Sequence, residues 1–295
     1  MSNNLAYVRT VEKLADIDVP ERAQYIRVIS VELQRIASHL MATGFLLNDL
    51  GALATPLVYC FRERERILDL FEMLCGARIT LSYMRPGGVF QDAPADFWNS
   101  LNVLISDFPN YLDELESLIT TNEIVLARTI GVGLLSDTQA VDSGVSGPVL
   151  RAASVKWDLR KANPYEIYDR VNFDIPIGNS GDTYDRYYVR LQEMRESIKI
   201  ISQCIEQIEP GPVRTETPFF IRPPVGETYS SVEGPKGELG FYMVSDGGIS
   251  PYRCKVRAPS FINLTPLKDM LTGWKMGDLI IILGSIDIVL GEVDR

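Results

Sequence analysis

The stretch PERAQYIRVISVELQRIASHLMATGFLLNDL, residues 20–50, decides the class of fold. Its apolar residues recur every three to five positions, which is the period of an amphipathic α-helix. These residues are Tyr25, Ile29, Leu33, Ile36, Leu40 and Phe45. Proline is tolerated in a first helical turn and an acid is favoured beside the positive helix end, so Pro20 and Glu21 mark the start. A helix this long and this amphipathic is predicted to pack in a bundle.

Three further segments have the same helical character, at residues 56–74, 94–122 and 182–208. The first of them carries a run of alternating charges, Arg62-Glu63-Arg64-Glu65-Arg66. Residues 131–176 differ, because they mix glycine, serine, aspartate and proline with short apolar pieces. That mixture predicts loops and short helices inside an otherwise helical region.

The last third of the chain changes character. Five prolines between residues 210 and 224 predict a linker or an extended crossing segment. Three short runs typical of strands follow, at residues 228–232, 239–244 and 252–256. Turn sequences separate the runs, so we expect a small antiparallel β element.

The predicted fold class is therefore mainly α, a helical bundle with a small antiparallel β element near residues 228–256. The predicted organisation is a helical core over residues 1–209. Residues 210–295 are expected to pack on that core as part of one domain. The apolar C-terminal stretch, 279–294, is expected to be buried at a site or a subunit interface, or simply to dock on the core as a last helix.

Composition excludes several functions. The net charge of −10 argues against a nucleic-acid surface, which needs a basic field. The four cysteines are far apart and form no C-x-x-C pair, which is poor evidence for a zinc, iron–sulfur or disulfide framework. Core packing is favoured for Cys60, Cys75 and Cys204, which lie among apolar residues. His39 is the only histidine, which excludes a histidine-rich metal site, and a packed, hydrogen-bonded core residue is the favoured interpretation.

Glycine-rich turns and isolated charged residues leave alternatives open. The pairs at 131–133 and 87–88 lack the G-x-G-x-x-G spacing, so no NAD site is expected. Asp49 lies beside Gly51, where a turn residue is favoured over a carboxylate that faces a cavity with a raised pKa. Arg85 precedes Pro-Gly-Gly, and it is either a surface turn residue or a fixed positive charge that faces an anion.

Residues 157–161 and 184–187 each contain neighbouring acids and bases, and structural ion pairing is the favoured interpretation of both segments.

An ordered series of motifs runs along the chain. The series includes Tyr83-x-Arg85-Pro86-Gly87-Gly88, Trp157-Asp158-Leu159-Arg160-Lys161, Gly181-Asp182-x-Tyr184-Asp185-Arg186-Tyr187, Glu233-Gly234-Pro235-Lys236-Gly237 and Gly291-Glu292-Val293-Asp294-Arg295. Together the motifs resemble the 49-kDa (D) subunit family of NADH–quinone oxidoreductase, respiratory complex I. The resemblance covers essentially the whole chain. A hydrogenase large subunit is disfavoured, because the C-terminus has no C-x-x-C.

The resemblance implies a peripheral-arm subunit with the fold of a [NiFe]-hydrogenase large subunit. It implies that the chain forms part of the quinone cavity, beside the terminal 4Fe–4S cluster of the B subunit, and helps couple electron transfer to proton translocation. The implied partners are the B, C and H subunits and other peripheral-arm subunits, at the cytoplasmic face of the inner membrane. Residues 287–295 lack cysteine, so we expect no metal and no cofactor on this chain, with quinone as the substrate.

The resemblance also implies roles for particular residues. Asp49 corresponds to a catalytic carboxylate of the quinone cavity, and Met41 and Val289 to further residues of its wall. Thr80 and Arg85 fall near the cluster. Many members of the family carry a histidine where this chain has Thr80, and threonine does not titrate. We therefore expect the potential of the neighbouring cluster to depend little on pH.

The family has an additional N-terminal segment upstream of the position of Met1, with a histidine and a tyrosine that hydrogen-bond the quinone. If the chain is complete as printed, we expect it not to bind quinone normally. The alternative function is then an N-terminally truncated assembly or structural subunit without a working quinone site.

Overall fold

The computed structural model describes residues 1–52 and 54–294. Its helices are α1 (Ser2–Ala15), α2 (Glu21–Asp49), α3 (Thr55–Cys75), α4 (Ala95–Ile119), α5 (Glu123–Thr129), α6 (Asp137–Asp142), α7 (Pro148–Ala152), α8 (Leu159–Ala162), α9 (Thr183–Gln207), α10 (Pro259–Asn263), α11 (Leu267–Leu271), α12 (Met276–Ile286) and α13 (Leu290–Val293). Its strands are β1 (Met84–Arg85), β2 (Gly88–Val89), β3 (Gly226–Gly234), β4 (Gly237–Ser245) and β5 (Arg253–Arg257).

Helix α2 is the central element of the bundle. It packs against α3, α9 and α12, and the apolar residues that predicted it are at its core, with Leu33, Ile36 and Leu40 fully buried. The ends predicted for the other three long helices lie within three residues of the observed ends of α3, α4 and α9. Local chemistry sets one of these ends, because the Asp182 carboxylate accepts a hydrogen bond from the Asp185 backbone N–H at the start of α9 (2.8 Å).

Strands β3, β4 and β5 form one antiparallel sheet in that order. Gly234 pairs with Gly237, so Pro235 and Lys236 alone make the β3–β4 turn. Helix is the major structure, at 55%. The predicted fold class, mainly α with a small antiparallel element near residues 228–256, is thus confirmed. The division into residues 1–209 and 210–295 remains a prediction.

Helix α1 and the β1–β2 hairpin are among the elements that were not predicted. Helix α1 packs on β3 and β4, and it lacks an acidic first turn and a side-chain cap that would have marked its start. The β1–β2 hairpin turns at Pro86 and Gly87, where a turn but no strand was expected. Within the described part of the chain, every helix is too short or too polar to cross a bilayer.

Candidate functional site

A cavity of about 590 Å³ lies against the paired helices α2 and α3. Six side chains of these two helices line it: Gln34, Ala37, Ser38, Arg64, Leu68 and Phe71. Each helix contributes residues three or four positions apart, which places them on one face. The helix pair therefore forms one continuous wall of the cavity, mainly apolar on the α3 side.

The opposite wall is built from loops and the C-terminal segment. It contains the β3–β4 turn, with Gly234, Pro235 and Lys236, together with Val289 and Glu292. Residues 78–81, after α3, and residues 1–4, at the start of α1, also line the cavity, and Leu239 and Pro259 complete the lining. The site thus joins segments that are far apart in the sequence.

Close backbone contact fixes the position of the β3–β4 turn. A Cβ atom on Gly147 would lie 2.5 Å from the Gly237 Cα atom, so both backbones need glycine here. Asn263 then clamps the turn, since its side-chain amide donates to the Lys236 carbonyl (2.9 Å). The Ser146 hydroxyl accepts from the Glu238 backbone N–H (3.0 Å). The turn therefore presents Lys236 to the cavity from a rigid base.

An ion pair joins the turn to the C-terminal segment. The Lys236 ammonium lies 2.6 Å from the Asp287 carboxylate, and both side chains are nearly buried. Asp287 ends α12 in the left-handed backbone region, with φ of 61°. This conformation is costly for a residue other than glycine, and it directs the chain from α12 back toward the cavity at Val289. No local pattern signals this pair in the sequence, because its members are far apart along the chain.

Behind the α2 wall lies a buried ionic cluster. His39 Nε2 is 2.8 Å from the Glu193 carboxylate on α9. Arg151 donates to Glu193 (2.7 Å) and to Glu233 (2.9 Å). Burial lowers the pKa of His39 although Glu193 opposes this shift, and burial raises the pKa of Glu233. The prediction of a packed, hydrogen-bonded His39 is confirmed.

The same cluster continues around Glu32. Burial alone would raise the pKa of Glu32, but Arg35 and Arg160, with hydrogen bonds from Ser197 and Tyr168, lower it to about 2. The two Glu32 oxygens accept from these groups over distances of 2.5 to 3.2 Å. The cluster therefore ties α2 to α9 and to α8 through charges that are fully removed from water.

One predicted ion pair is absent from this interior. Adjacent acids and bases around Tyr184 were expected to pair, yet the fully buried Arg186 donates to the carbonyl oxygens of Gly181 (2.8 Å) and Gly133 (2.9 Å) and to Ser285. Asp185 instead accepts from backbone N–H groups at residues 179–181. The prediction was wrong for Asp185 and Arg186, because consecutive helical residues point to different sides of α9. It is confirmed for Asp158 and Arg160, whose side chains lie 2.6 Å apart.

Comparison with known proteins gives the chain its family. The family described as "Respiratory-chain NADH dehydrogenase, 49 Kd subunit" matches residues 49–224 and 217–295. The chain belongs to this family. A protein of Dehalococcoides mccartyi named as the D subunit of NADH-quinone oxidoreductase is 57% identical over 295 residues, which is all of this chain and 80% of the relative.

Two further relatives, from other bacteria, also carry the name of the D subunit. A Roseiflexus protein named as D subunit 1 of NADH-quinone oxidoreductase is 54% identical over 303 residues, covering all of this chain and 81% of the relative. A Desulforamulus reducens protein named as the D subunit of the same enzyme is 53% identical over 294 residues, covering all of this chain and 80% of its own length. The chain is thus shorter than these members of the 49-kDa family.

Of the residues that the family resemblance singled out, Thr80 and Val289 line the cavity. Thr80 is exposed and has φ of 56°, a strained value for a β-branched residue, and its hydroxyl donates to the Ile79 carbonyl (2.6 Å). Arg85 does not line the cavity. Its guanidinium donates to Ser82 and to the Met84 carbonyl, and so it braces its own hairpin.

Met41 and Asp49 follow the cavity residues along α2, and neither lines the cavity itself. Asp49 is the last residue of α2 and is exposed. It is eleven residues after Ser38, which places it about 16 Å further along the helix and about 20° from the same direction. Its carboxylate lies beside Gly284 of α12, and burial raises its pKa. Asp49 thus lies at a helix end, as the favoured interpretation of the sequence expected. Its raised pKa is the property that the other interpretation, a carboxylate facing a cavity, expected.

The thiols lie away from the cavity. Cys60 and Cys204 are buried in the apolar core, Cys75 is half-buried and Cys254 is exposed. No cysteine is among the cavity-lining residues, and no group of three histidine, cysteine or acidic side chains within residues 1–52 and 54–294 could hold a metal ion.

Proposed function

We propose that this chain is the cavity-forming D subunit of an NADH:quinone oxidoreductase, and that the 590 Å³ cavity receives the quinone ring. The observation that carries the proposal is the cavity itself, which joins Thr80 and Val289 in a member of the 49-kDa family. Its volume falls in the range of small-molecule sites.

The character of the walls supports a quinone. Leu68, Phe71, Leu239 and Val289 supply apolar surface, and polar or charged side chains make up about half of the lining residues. A flat apolar ring with two carbonyl oxygens needs this combination, since apolar walls hold the ring and polar groups orient it. The protein then contributes binding and orientation, and the redox chemistry resides in the quinone and in a partner's cluster.

The α2 face supports a continuation of the quinone site beyond the cavity. It leads from Ser38 past Met41 to Asp49, where α12 closes against it at Gly284. Reduction of a quinone takes up two electrons and two protons. A carboxylate with a raised pKa is suited to supply a proton, so we assign Asp49 as the proton source; because Asp49 does not line the cavity itself, the proton reaches the ring through a relay along this face.

The electron donor in this proposal is a 4Fe–4S cluster held by the B subunit. It would lie near the 78–81 loop, where Thr80 is exposed, and Arg85 would add a fixed positive charge on the neighbouring hairpin. The absence of a cysteine from the cavity lining is in keeping with cluster ligands on another subunit.

Contacts with the B, C and H subunits and a peripheral position on the cytoplasmic face of the inner membrane complete the proposal. Exposed apolar residues at the start of α12, Met276 and Ile280, give a surface suited to partner subunits. The proposed role in proton translocation is indirect, through the conformational and electrostatic consequences of quinone reduction.

The test is a Val289→Phe substitution in the assembled complex. Val289 is 38% exposed toward the cavity, so a larger ring there reduces the space for a quinone. We expect the KM for quinone to rise about tenfold or more, in line with overpacking of a binding pocket. The rate with a hydrophilic acceptor that takes electrons before the quinone step should not change.

Leu290→Phe is the matched control, because Leu290 is adjacent, exposed and absent from the cavity lining. Equal kinetics for the two variants would contradict the proposed cavity. A wild-type complex that assembles and oxidises NADH with the hydrophilic acceptor, but reduces no quinone, would favour the alternative of a structural subunit.

A further inference from the structure

The charged run on α3 divides into two faces. Arg62 and Arg66 share the buried Glu63 carboxylate, each over 2.9 Å, and Arg66 also pairs with Asp107. Arg62 additionally lies over the Tyr59 ring, 4.4 Å from its centre. These two arginines are four residues apart, and so they lie on nearly the same side of the helix.

Arg64 points to the other side of α3. It is two residues from either neighbour, a rotation of about 200°, and it lines the cavity. No carboxylate lies within ion-pair distance of it in the described part of the chain. Its guanidinium lies over the Phe61 ring at 5.5 Å, and its Nε atom is buried without an acceptor.

A half-buried guanidinium whose Nε–H has no acceptor is unfavourable. A buried donor without an acceptor loses its hydration and gains nothing in return. The Lys236 and Arg78 cations of the cavity differ from Arg64 in having carboxylates within ion-pair distance, because Lys236 pairs with Asp287, and Arg78 contacts Glu65, Asp69 and Glu72. Arg64 is thus the cavity cation that has room for an external acceptor.

The charge around the cavity favours a small ligand over an acidic side chain of a partner protein. Glu65, Asp69 and Glu72 are exposed and share the single cation Arg78, which leaves excess negative charge beside Arg64. An acidic protein surface would meet repulsion there. A flat ring that enters the cavity brings a single charged oxygen to Arg64, whereas an acidic protein surface would place several charges against those exposed carboxylates.

We propose that Arg64 is the oxygen-binding group of the cavity, and that the cavity consequently prefers a ring carrying an anionic oxygen over a neutral ring of similar size. The preferred ligand class is that of ionised hydroxyquinones. The inference deepens the proposed quinone cavity and rests on it for the identity of the ring. The guanidinium donates to the ring oxygen, and the Phe61 face beneath holds the guanidinium in place.

The experiment measures binding to the oxidised, assembled complex by calorimetry, with no NADH present. The probes are 2-hydroxy-1,4-naphthoquinone, which is ionised at neutral pH, and 2-methyl-1,4-naphthoquinone, which is neutral. We expect the wild-type complex to prefer the ionised ring. Arg64→Gln should weaken its binding about tenfold or more and leave the neutral ring within a factor of two or so, since a charged hydrogen bond is lost only with the first.

Arg62→Gln is the matched control, with the same loss of charge on the same helix but outside the cavity. It should retain the preference of the wild type. Arg64→Lys keeps the charge without the planar fork, and an intermediate preference is expected. A preference that survives Arg64→Gln, or an equal loss for both rings, would overturn the proposal.

The remaining outcomes concern assembly of the complex and a comparison with the Val289→Phe variant. If both Arg64 variants fail to assemble while Arg62→Gln assembles, Arg64 pairs with a partner protein, and the proposal is overturned. If Val289→Phe has no effect on either ring but Arg64→Gln abolishes the preference, the anion site stands and the quinone cavity must lie elsewhere. If Val289→Phe weakens both rings and Arg64→Gln changes neither, the cavity stands and the role of Arg64 is rejected.

Discussion

The arginines of this protein belong to two contrasting regions. In the cluster between α2 and α9, Arg151 and Arg160 are fully buried and each contacts two or more carboxylates. On the cavity wall, Arg64 is only half-buried, yet it has none within the described residues. An arginine thus stabilises the interior where its carboxylate partners come from the chain itself. It is available as a binding group where the chain provides no such partner.

The energetic consequences of the two regions differ. A buried ion pair gains little net stability, because desolvation offsets the attraction, but removal of one partner leaves a buried charge without compensation. Substitutions in the cluster should therefore change the stability of the fold, and substitutions in the cavity should change the affinity for a ligand. Substitutions in the two regions separate these effects.

The largest effect is expected for Glu193→Gln. This change removes the carboxylate that holds both Arg151 and His39, and it leaves the Arg151 charge incompletely paired. We expect a loss of about 3–5 kcal/mol in the free energy of unfolding, measured as reduced thermal stability of the assembled complex. Glu206→Gln on the exposed side of the same helix is the control and should change it by less than about 0.5 kcal/mol. A stability loss as small as that of the control would mean that the cluster is not the scaffold.

A smaller effect, of about 3 kcal/mol, should appear in the pH dependence of stability. The pKa of Glu32 is about 2 in the folded chain, below its ordinary value of 4.5, so the unfolded chain takes up the proton first as the pH falls. The contribution of Glu32 is therefore complete above about pH 4.5 and disappears as the pH falls toward 2. Thermal unfolding of Glu32→Gln at several pH values should show a shallower acid loss than the wild type. Parallel curves would contradict the shift.

The smallest effect is expected on the cavity side, at Thr80. Threonine does not titrate, so the potential of the neighbouring cluster should change little with pH in the wild-type complex. Thr80→His should introduce a slope that approaches about 59 mV per pH unit for one proton per electron. Histidine also tolerates the left-handed conformation of this position better than threonine does. Redox titration followed by electron paramagnetic resonance checks this, and a steep slope already present with Thr80 would remove the basis of the prediction.

The long bundle helices could be predicted from the sequence because their apolar residues repeat along one face. The period at Tyr25, Ile29 and Leu33 is a local property, and so are the cap at Asp182 and the strand pattern of the sheet. Helix α1 could not be predicted this way, since its packing against β3 and β4 gives it a stability that its own sequence does not reveal.

Much of the candidate site depends on contacts between distant residues. His39 and Glu193 are 154 positions apart, and no spacing rule connects them. The unpaired state of Arg64 could not be predicted from the sequence either. The charged run at residues 62–66 predicts a helix, but it does not indicate which of its arginines lacks a carboxylate partner. Thr80 and Val289 could be named only through the family resemblance, and the roles of Met41, Asp49 and Arg85 remain predictions.

The contact between Gly147 and Gly237 has a consequence for how mutations of this protein are interpreted. A side chain at position 147 would displace the β3–β4 turn, and Lys236 at its tip would move with it. A variant there would be scored as a defect in ligand affinity, although the altered residue is outside the cavity lining. A genetic screen for quinone-site inhibitor resistance should therefore recover changes around residue 147 as well as changes in the cavity wall.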